Sequence, residues 1–144
     1  MKLVQPRSTE DYENYFELRW RILRKPWNQP KGSEQDLDEN SAYHIMAVDE
    51  HQVIGVARLQ FTDQQNTRAQ LRYMAVDEAF QGKGVGRQIV KHMEQYAREQ
   101  AAETLFFHAR DNAQGFYKKL GYQVDKKSYL LFGTVQHYEM SKRL

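Results

Sequence analysis

The chain has 144 residues, 40% of them hydrophobic and 28% charged, enough for a single globular domain that buries ~70% of its unfolded surface without a metal or disulfide staple. Its 21 Lys and Arg against 19 Asp and Glu leave a net charge of +2, too balanced and too interspersed for a nucleic-acid footprint. Cys is absent, which excludes disulfides, thiolate metal sites and a cysteine nucleophile together.

The N-terminus, MKLVQPRSTEDY, turns polar after four residues and carries no apolar leader, and no run is long enough to cross a bilayer. A cytoplasmic protein with one domain over residues 1–144 is the expectation. Residues 2–5 read as a first strand closed by Pro6. Ser8 or Thr9 then offers an N-cap to a helix on which Tyr12, Tyr15, Phe16, Arg19, Ile22 and Leu23 recur at helical spacing. Pro26 and Pro30 end it. Residues 31–41 form an acidic loop with a helical turn around 34–39. Runs at 43–48 and 53–61, separated by a polar turn, predict a hairpin, and 69–76 adds a third strand to an antiparallel meander.

The periodicity then changes. Val85, Ile89, Val90, Met93, Tyr96 and Ala97 share one helical face, and that helix reaches about Gln100. Residues 104–107 make a short strand. Asp111 or Asn112 caps a further helix with Ala113, Phe116, Tyr117 and Leu120 on one face. Gly121 falls where a left-handed C′ residue belongs, with Tyr122 as its apolar follower. The tail from Tyr129 to Met140 adds one or two strands. The order β-α-βββ-α-β-α-β is an α+β (α/β mixed-sheet) domain.

Chemistry concentrates where LRYMAV, residues 71–76, passes through 77–81 into GKGVGRQIV. Gly82, Gly84 and Gly86 stand at a helix start, where they let the backbone turn sharply and leave its amides uncovered. First-turn amides have no intrahelical partner and the helix dipole adds positive charge, so the junction suits a phosphate or pyrophosphate. Lys83 and Arg87 add cations at its rim. The string is neither GxxxxGK[ST] nor GxGxxG, because Ile89 stands at the third glycine position. A plain flexible turn is the competing reading of the glycines taken alone.

Two signatures in combination resemble the GNAT superfamily of acyl-CoA N-acyltransferases. One, Q/R-x-x-G-x-G/A, is met by Gln81, Gly84 and Gly86. The other, A-x-x-[LF]-Y-x-x-x-G-[FY], is met by Ala113, Phe116, Tyr117, Gly121 and Tyr122. LRWRILRKPW at 18–27, VARLQF at 56–61 and His137-x-x-Met140 are similar to the ElaA-like branch. The resemblance implies an N-acetyltransferase that uses acetyl-CoA as co-substrate, acts on a primary amine by direct transfer and needs no metal. It implies that Met74, Ala75 and Val76 meet the pantetheine arm through their backbone, and that Gln81, Gly82, Lys83, Gly84, Val85, Gly86 and Arg87 wrap the pyrophosphate. Asn112, Phe116 and Tyr117 would lie near the thioester, with the Met74 amide as oxyanion donor and Tyr117 as acid for the leaving thiolate. The family's Asn seven residues before the Tyr is Arg110 here, and either Arg110 or the displaced Asn112 is left to make that contact. Partners are acetyl-CoA and an amine, not nucleic acid or membrane, with a homodimer left open. The alternative is a non-catalytic CoA-binding sensor or scaffold.

Other polar residues are weighed against structural roles. His44, His51, His92, His108 and His137 show no zinc spacing. His108 ends a strand, and His137 with Glu139 shares a face of the last strand, where either a base or plain sheet surface fits. Glu34, Asp36, Asp38 and Glu39 read first as a solvated loop and second as a lure for a cationic amine. Arg58 and Arg72 sit mid-strand, so each pairs with a carboxylate or reads an anionic substrate group.

Overall fold

The computed structural model describes residues 1–144. In chain order its elements are β1 (Lys2–Val4), α1 (Thr9–Leu23), β2 (Tyr43–Asp49), β3 (Gln52–Phe61), β4 (Arg68–Val76), α2 (Val85–Glu99), β5 (Thr104–Arg110), α3 (Gln114–Lys119), β6 (Gln123–Leu131) and β7 (Val135–Arg143). The strands follow the order β1-β2-β3-β4-β5-β7-β6. Pairing is antiparallel for β1/β2, β2/β3, β5/β7 and β6/β7, and parallel for β4/β5. This mixed sheet with three helices is the α+β architecture that the order of elements implies, and the tail supplies a full hairpin. No helix is long and apolar enough to cross a membrane. The residues group into two compact units, Met1–Gln60 with Tyr73–Met93, and Phe61–Arg72 with Glu94–Leu144.

In the first unit, Ser8 takes the N-cap of α1. Its hydroxyl accepts from the Asp11 amide at 3.0 Å, and the Asp11 carboxylate accepts from the Ser8 amide at 3.2 Å, a complete capping box. The helix buries Tyr15 and Leu18 against Met46 of β2, Val56 of β3 and Ala75 of β4. Burying a side chain such as Leu18 contributes ~1.5–3 kcal/mol. Gly55 is what lets α2 approach β3. A Cβ built there would lie 2.8 Å from Ile89 Cδ1 and 3.0 Å from Val85 Cγ1.

In the second unit, β5 runs three residues beyond the expected 104–107, to Arg110, because β7 pairs with it along its whole length, from Thr104↔Arg143 to Arg110↔His137. A partner strand some thirty residues away extends what local pattern alone could not. The helix before Gly121 ends as its spacing predicts: Gly121 has φ 96°, the Tyr122 amide donates to the Tyr117 carbonyl at 3.2 Å, and the Gly121 amide donates to Lys118 at 3.1 Å. Its start does not follow the predicted cap. Residues Asp111–Ala113 form a 3-10 turn, Ala113 holds the N-cap without a side-chain bond, and the Asp111 carboxylate accepts from the Gln114 side-chain Nε2 at 3.0 Å. Tyr122 is also more than an apolar follower. Its hydroxyl donates to the buried Glu94 at 2.7 Å, and Lys142 donates to the same oxygen at 3.0 Å.

Candidate active site

The glycine-rich junction belongs to the first unit. Strand β4 ends at Val76, and Asp77 then caps a 3-10 turn, Glu78–Phe80, by accepting from the Ala79 amide at 2.9 Å. The Arg21 guanidinium donates to the other Asp77 oxygen at 3.0 Å. The amide bond first and the arginine after it hold the Asp77 carboxyl below its ordinary range. The chain is thereby fastened at the end of β4 just before it turns.

Gly82 and Gly84 have φ 76° and 87°, a region glycine enters freely and other residues pay for in strain. A Cβ at either would meet nothing within 4 Å, so the demand is conformational and their outer faces are open. The first helical bond of α2 runs from the Gln88 amide to the Gly84 carbonyl at 3.1 Å. The amides of Val85, Gly86 and Arg87 therefore precede the ladder and have no intrahelical acceptor. Gln81, Lys83 and Arg87 are exposed, while Val85 is buried beneath them and anchors the turn. Two side chains are engaged within the loop: Gln81 donates to the Val76 carbonyl at 3.0 Å, and the Lys83 ammonium lies 5.5 Å from the Phe80 ring.

Upstream, β4 is not a regular strand. Tyr73 has φ 53°, an outlier for a bulky residue, directly before Met74. Met74 and Val76 are partly exposed and Ala75 is buried, as the pleat requires. The Tyr73 ring sits beside three guanidinium groups, with Arg19, Arg58 and Arg24 at 4.5, 4.9 and 5.6 Å from its centroid.

Those arginines correct the reading of residues 34–39 as a solvated loop. Arg58, fully buried, makes a fork with Asp36, NH1 to Oδ1 at 2.7 Å and NH2 to Oδ2 at 3.0 Å, and donates from NH1 to Glu39 at 2.8 Å. Its Nε and NH2 also donate to Gln60, so all five donors are used. Arg19, equally buried, donates to the same Glu39 oxygen at 3.0 Å, to the Glu34 carbonyl at 3.1 Å and to the Tyr15 hydroxyl at 3.0 Å. The Arg58 bond first of all holds the Asp36 carboxyl far below the usual carboxylate range. Arg58 thus pairs with carboxylates, the first of its two sequence alternatives. His44 closes the cluster: Nε2 lies 2.6 Å from the Glu39 carbonyl and Nδ1 lies 2.7 Å from the Tyr15 hydroxyl. Burial pushes its pKa down, and Nε2, which faces a carbonyl, is the ring nitrogen that donates. The same segment borders a cavity of about 320 Å³ whose walls include Tyr12, Phe16, Glu39 and His44.

The second signature belongs to the second unit. Tyr117 is 9% exposed, its ring 4.2 Å from that of Phe107 and 4.9 Å from that of Phe116. Burial raises its pKa above the ordinary phenol value, so the hydroxyl stays protonated at any working pH. Phe116 is 39% exposed and does not share the buried face that spacing assigns it. Asn112 is exposed in the 3-10 turn, and Arg110 is the last residue of β5. His108 lies within β5 rather than at its end, opposite Glu139 of β7, with its Nδ1 buried and unbonded. Desolvation lowers its pKa. His137 is buried, stacked on Tyr129 at 4.6 Å and bonded through Nδ1 to the Val135 carbonyl at 3.0 Å.

Comparison with known proteins gives these features a family. Residues 12–122 match the Acetyltransferase (GNAT) family. The chain is 30% identical over 142 residues, 99% of each protein, to an uncharacterized N-acetyltransferase, YjcF, of Bacillus subtilis (strain 168). An aminoglycoside 6'-N-acetyltransferase complexed with coenzyme A shares the fold at a TM-score of 0.82 and 14% identity, over 99% of this chain and 97% of that one. Escherichia coli ElaA does so at 0.81 and 20% identity, over 98% and 97%. A match that begins inside α1 and ends on the tyrosine after the helix-stopping glycine takes in both signatures and every element between them, and the chain belongs to the acetyltransferase (GNAT) family.

Proposed function

We propose that the protein moves the acetyl group of acetyl-CoA to a primary amine by direct transfer within a ternary complex. The observation that carries this reading is the β4–α2 junction: two glycines at positive φ and three first-turn amides without intrahelical acceptors, rimmed by exposed Lys83 and Arg87. Such a cradle favours phosphate oxygens. In this reading Gln81, Gly82, Lys83, Gly84, Val85, Gly86 and Arg87 hold the pyrophosphate, and Met74, Ala75 and Val76 receive the pantetheine arm through their backbone. Gln81 then exchanges its bond to the Val76 carbonyl for one to the cofactor.

The chemistry follows from what the chain contains. It has no Cys, so no acyl-cysteine forms and the amine attacks the thioester directly. The Met74 amide stabilises the oxyanion. Asn112 and Phe116 contact the thioester end, the amine gives up a proton to solvent as it attacks, and Tyr117, held protonated, donates to the departing thiolate and regains its proton from solvent. Relatives support the reaction class: YjcF is named an N-acetyltransferase, and the aminoglycoside enzyme was crystallised with coenzyme A.

The test uses the exposed cations. Arg87→Glu places an acid in the first turn of α2, where a negative charge stabilises a helix, so lost affinity cannot be blamed on a weakened fold. Calorimetry should show acetyl-CoA binding weakened ~10-fold or more, an effect that shrinks at high salt. Unchanged affinity in Arg87→Glu and Lys83→Glu alike removes the pyrophosphate from this loop.

A further inference from the structure

One residue of β4 occupies backbone territory that a tyrosine rarely enters. Tyr73 has φ 53°, and a single left-handed residue turns the next peptide plane out of the strand's alternation. The next amide is that of Met74. Tyrosine does not hold such a conformation unaided. It persists only where the surroundings over-determine it, and such outliers gather at functional sites.

The surroundings here are unusually complete. The ring lies 4.5 Å from Arg19 and 4.9 Å from Arg58, both fully buried. Its hydroxyl donates to Asp36 Oδ2 at 3.2 Å, the oxygen that also accepts from Arg58 NH2 at 3.0 Å. Arg58 in turn has its remaining donors on Asp36 Oδ1, Glu39 and Gln60. Arg19 joins the same Glu39 oxygen and reaches the Glu34 carbonyl. The Asp36 amide adds a third donor to that Glu39 oxygen at 3.0 Å. Three segments far apart in sequence, α1, the 34–39 loop and β3, thus converge on one side chain of β4.

We infer that Arg58, Asp36 and Arg19 are positioning residues, which hold Tyr73 in its left-handed conformation and thereby aim the Met74 amide. This rests on the reading of Met74 as oxyanion donor. It adds that the donor's direction is set by an ionic clamp built from the acidic loop, so that whatever orders the loop also orders the donor. The bonds explain why the clamp uses guanidinium groups: a planar fork fixes direction as well as distance, which a single ammonium cannot.

The test reads the donor directly and needs no acceptor amine. Acetyl-CoA labelled with ¹³C at the thioester carbonyl is bound to the protein, and the carbonyl stretch is recorded by difference infrared spectroscopy. In the wild type the Met74 bond should move the band below its position in free acetyl-CoA. Asp36→Asn breaks the charged fork on a partly exposed loop, and Tyr73→Phe removes only the hydroxyl. Both should return the band toward the free value while acetyl-CoA affinity stays within about twofold, since the pyrophosphate loop is untouched. Replacing Tyr73 by Asn, a residue that accepts the left-handed region on its own, should make the band insensitive to Asp36→Asn. A wild-type band at the free position overturns the Met74 reading and this inference with it. A displaced wild-type band that persists in folded Asp36→Asn and Tyr73→Phe overturns the clamp alone and leaves Met74 as donor.

Discussion

Gly55→Ala should destabilise the protein and weaken acetyl-CoA binding although residue 55 lies on β3, outside the glycine-rich loop. The new Cβ would stand 2.8 Å from Ile89 Cδ1, 3.0 Å from Val85 Cγ1 and 3.4 Å from Ala47 Cβ. Carbon pairs settle at ~3.5–4.0 Å, so α2 or its side chains must retreat by about half an ångström or more. Neither contact gives easily. Ile89 is fully buried, and Val85 is a β-branched residue with essentially one helical rotamer. Overpacking of this kind costs ~1–3 kcal/mol, reduced by ~0.4–1 kcal/mol because alanine restricts the unfolded chain more than glycine does. A net loss of ~1–2 kcal/mol lowers Tm by roughly 3–8 °C for a chain of this length. Val85 is the first residue of α2, so the displacement reaches the uncovered amides beside it, and calorimetry should show weaker acetyl-CoA binding. Val85→Ala in the same chain removes the 3.0 Å contact and should recover part of both losses, more than it gains alone. A Gly55→Ala protein with wild-type Tm and wild-type affinity would refute the claim that this glycine sets the height of α2 over the sheet.

Three further outcomes follow. Tyr117→Phe keeps the ring packed on Phe107 and should lower kcat ~10²-fold with acetyl-CoA affinity nearly constant, whereas wild-type kcat would reduce Tyr117 to packing. Initial rates with both substrates varied should give intersecting double-reciprocal lines, and an acetylated protein after acetyl-CoA alone would contradict direct transfer. Stability should decline as pH falls from about 7 to about 5, because the depressed native pKa values of His44 and His108 let the unfolded chain take up protons near 6.5 that the native state refuses. Urea midpoints at the two pH values check this, and a decline unchanged in the His44→Gln, His108→Gln double variant would assign it elsewhere. Asp36 acts with the same sign at lower pH: its depressed pKa stabilises the fold above about 3.9 and that contribution disappears only in stronger acid.

What the sequence discloses divides by distance along the chain. Ser8 with Asp11, and Gly121 with Tyr122, are bonds within a few residues, so the start of α1 and the end of α3 were legible from spacing. The glycine-rich junction was legible for the same reason, since the demand for positive φ at Gly82 and Gly84 is local. The start of α3 was misread because an Asp before a helix is a cap only if nothing else claims its carboxylate, and Gln114 does. The burial of Glu34 could not be read, and although Arg19 shares the apolar spacing of α1 and Arg58 sits mid-strand, neither discloses its partners: the Arg58 fork finds Asp36 twenty-two positions away, and no periodicity encodes that pairing. The conformation of Tyr73 is hidden more deeply, because tyrosine in a run of LRYMAV argues for a regular strand. Only the packed arginines reveal why it is not one.

The energetics of that cluster bear on why it exists. Burying a guanidinium costs several kcal/mol, which ion pairing offsets only when geometry is good and every donor is met. Arg58 meets this condition with five engaged donors, but Arg19 does not, since its Nε is buried without a partner. Well-packed apolar side chains in both places would stabilise the fold at least as well. Stability therefore does not account for two buried arginines, and what apolar packing lacks is direction. A hydrophobic contact holds its partners near one another and tolerates sliding, whereas the Arg58–Asp36 fork fixes both separation and angle, and Tyr73 is tied to the same carboxylate. Under the proposed mechanism the strained residue before the Met74 amide needs that constraint, because a rotation of one peptide plane separates a donor that points at a developing oxyanion from one that points away.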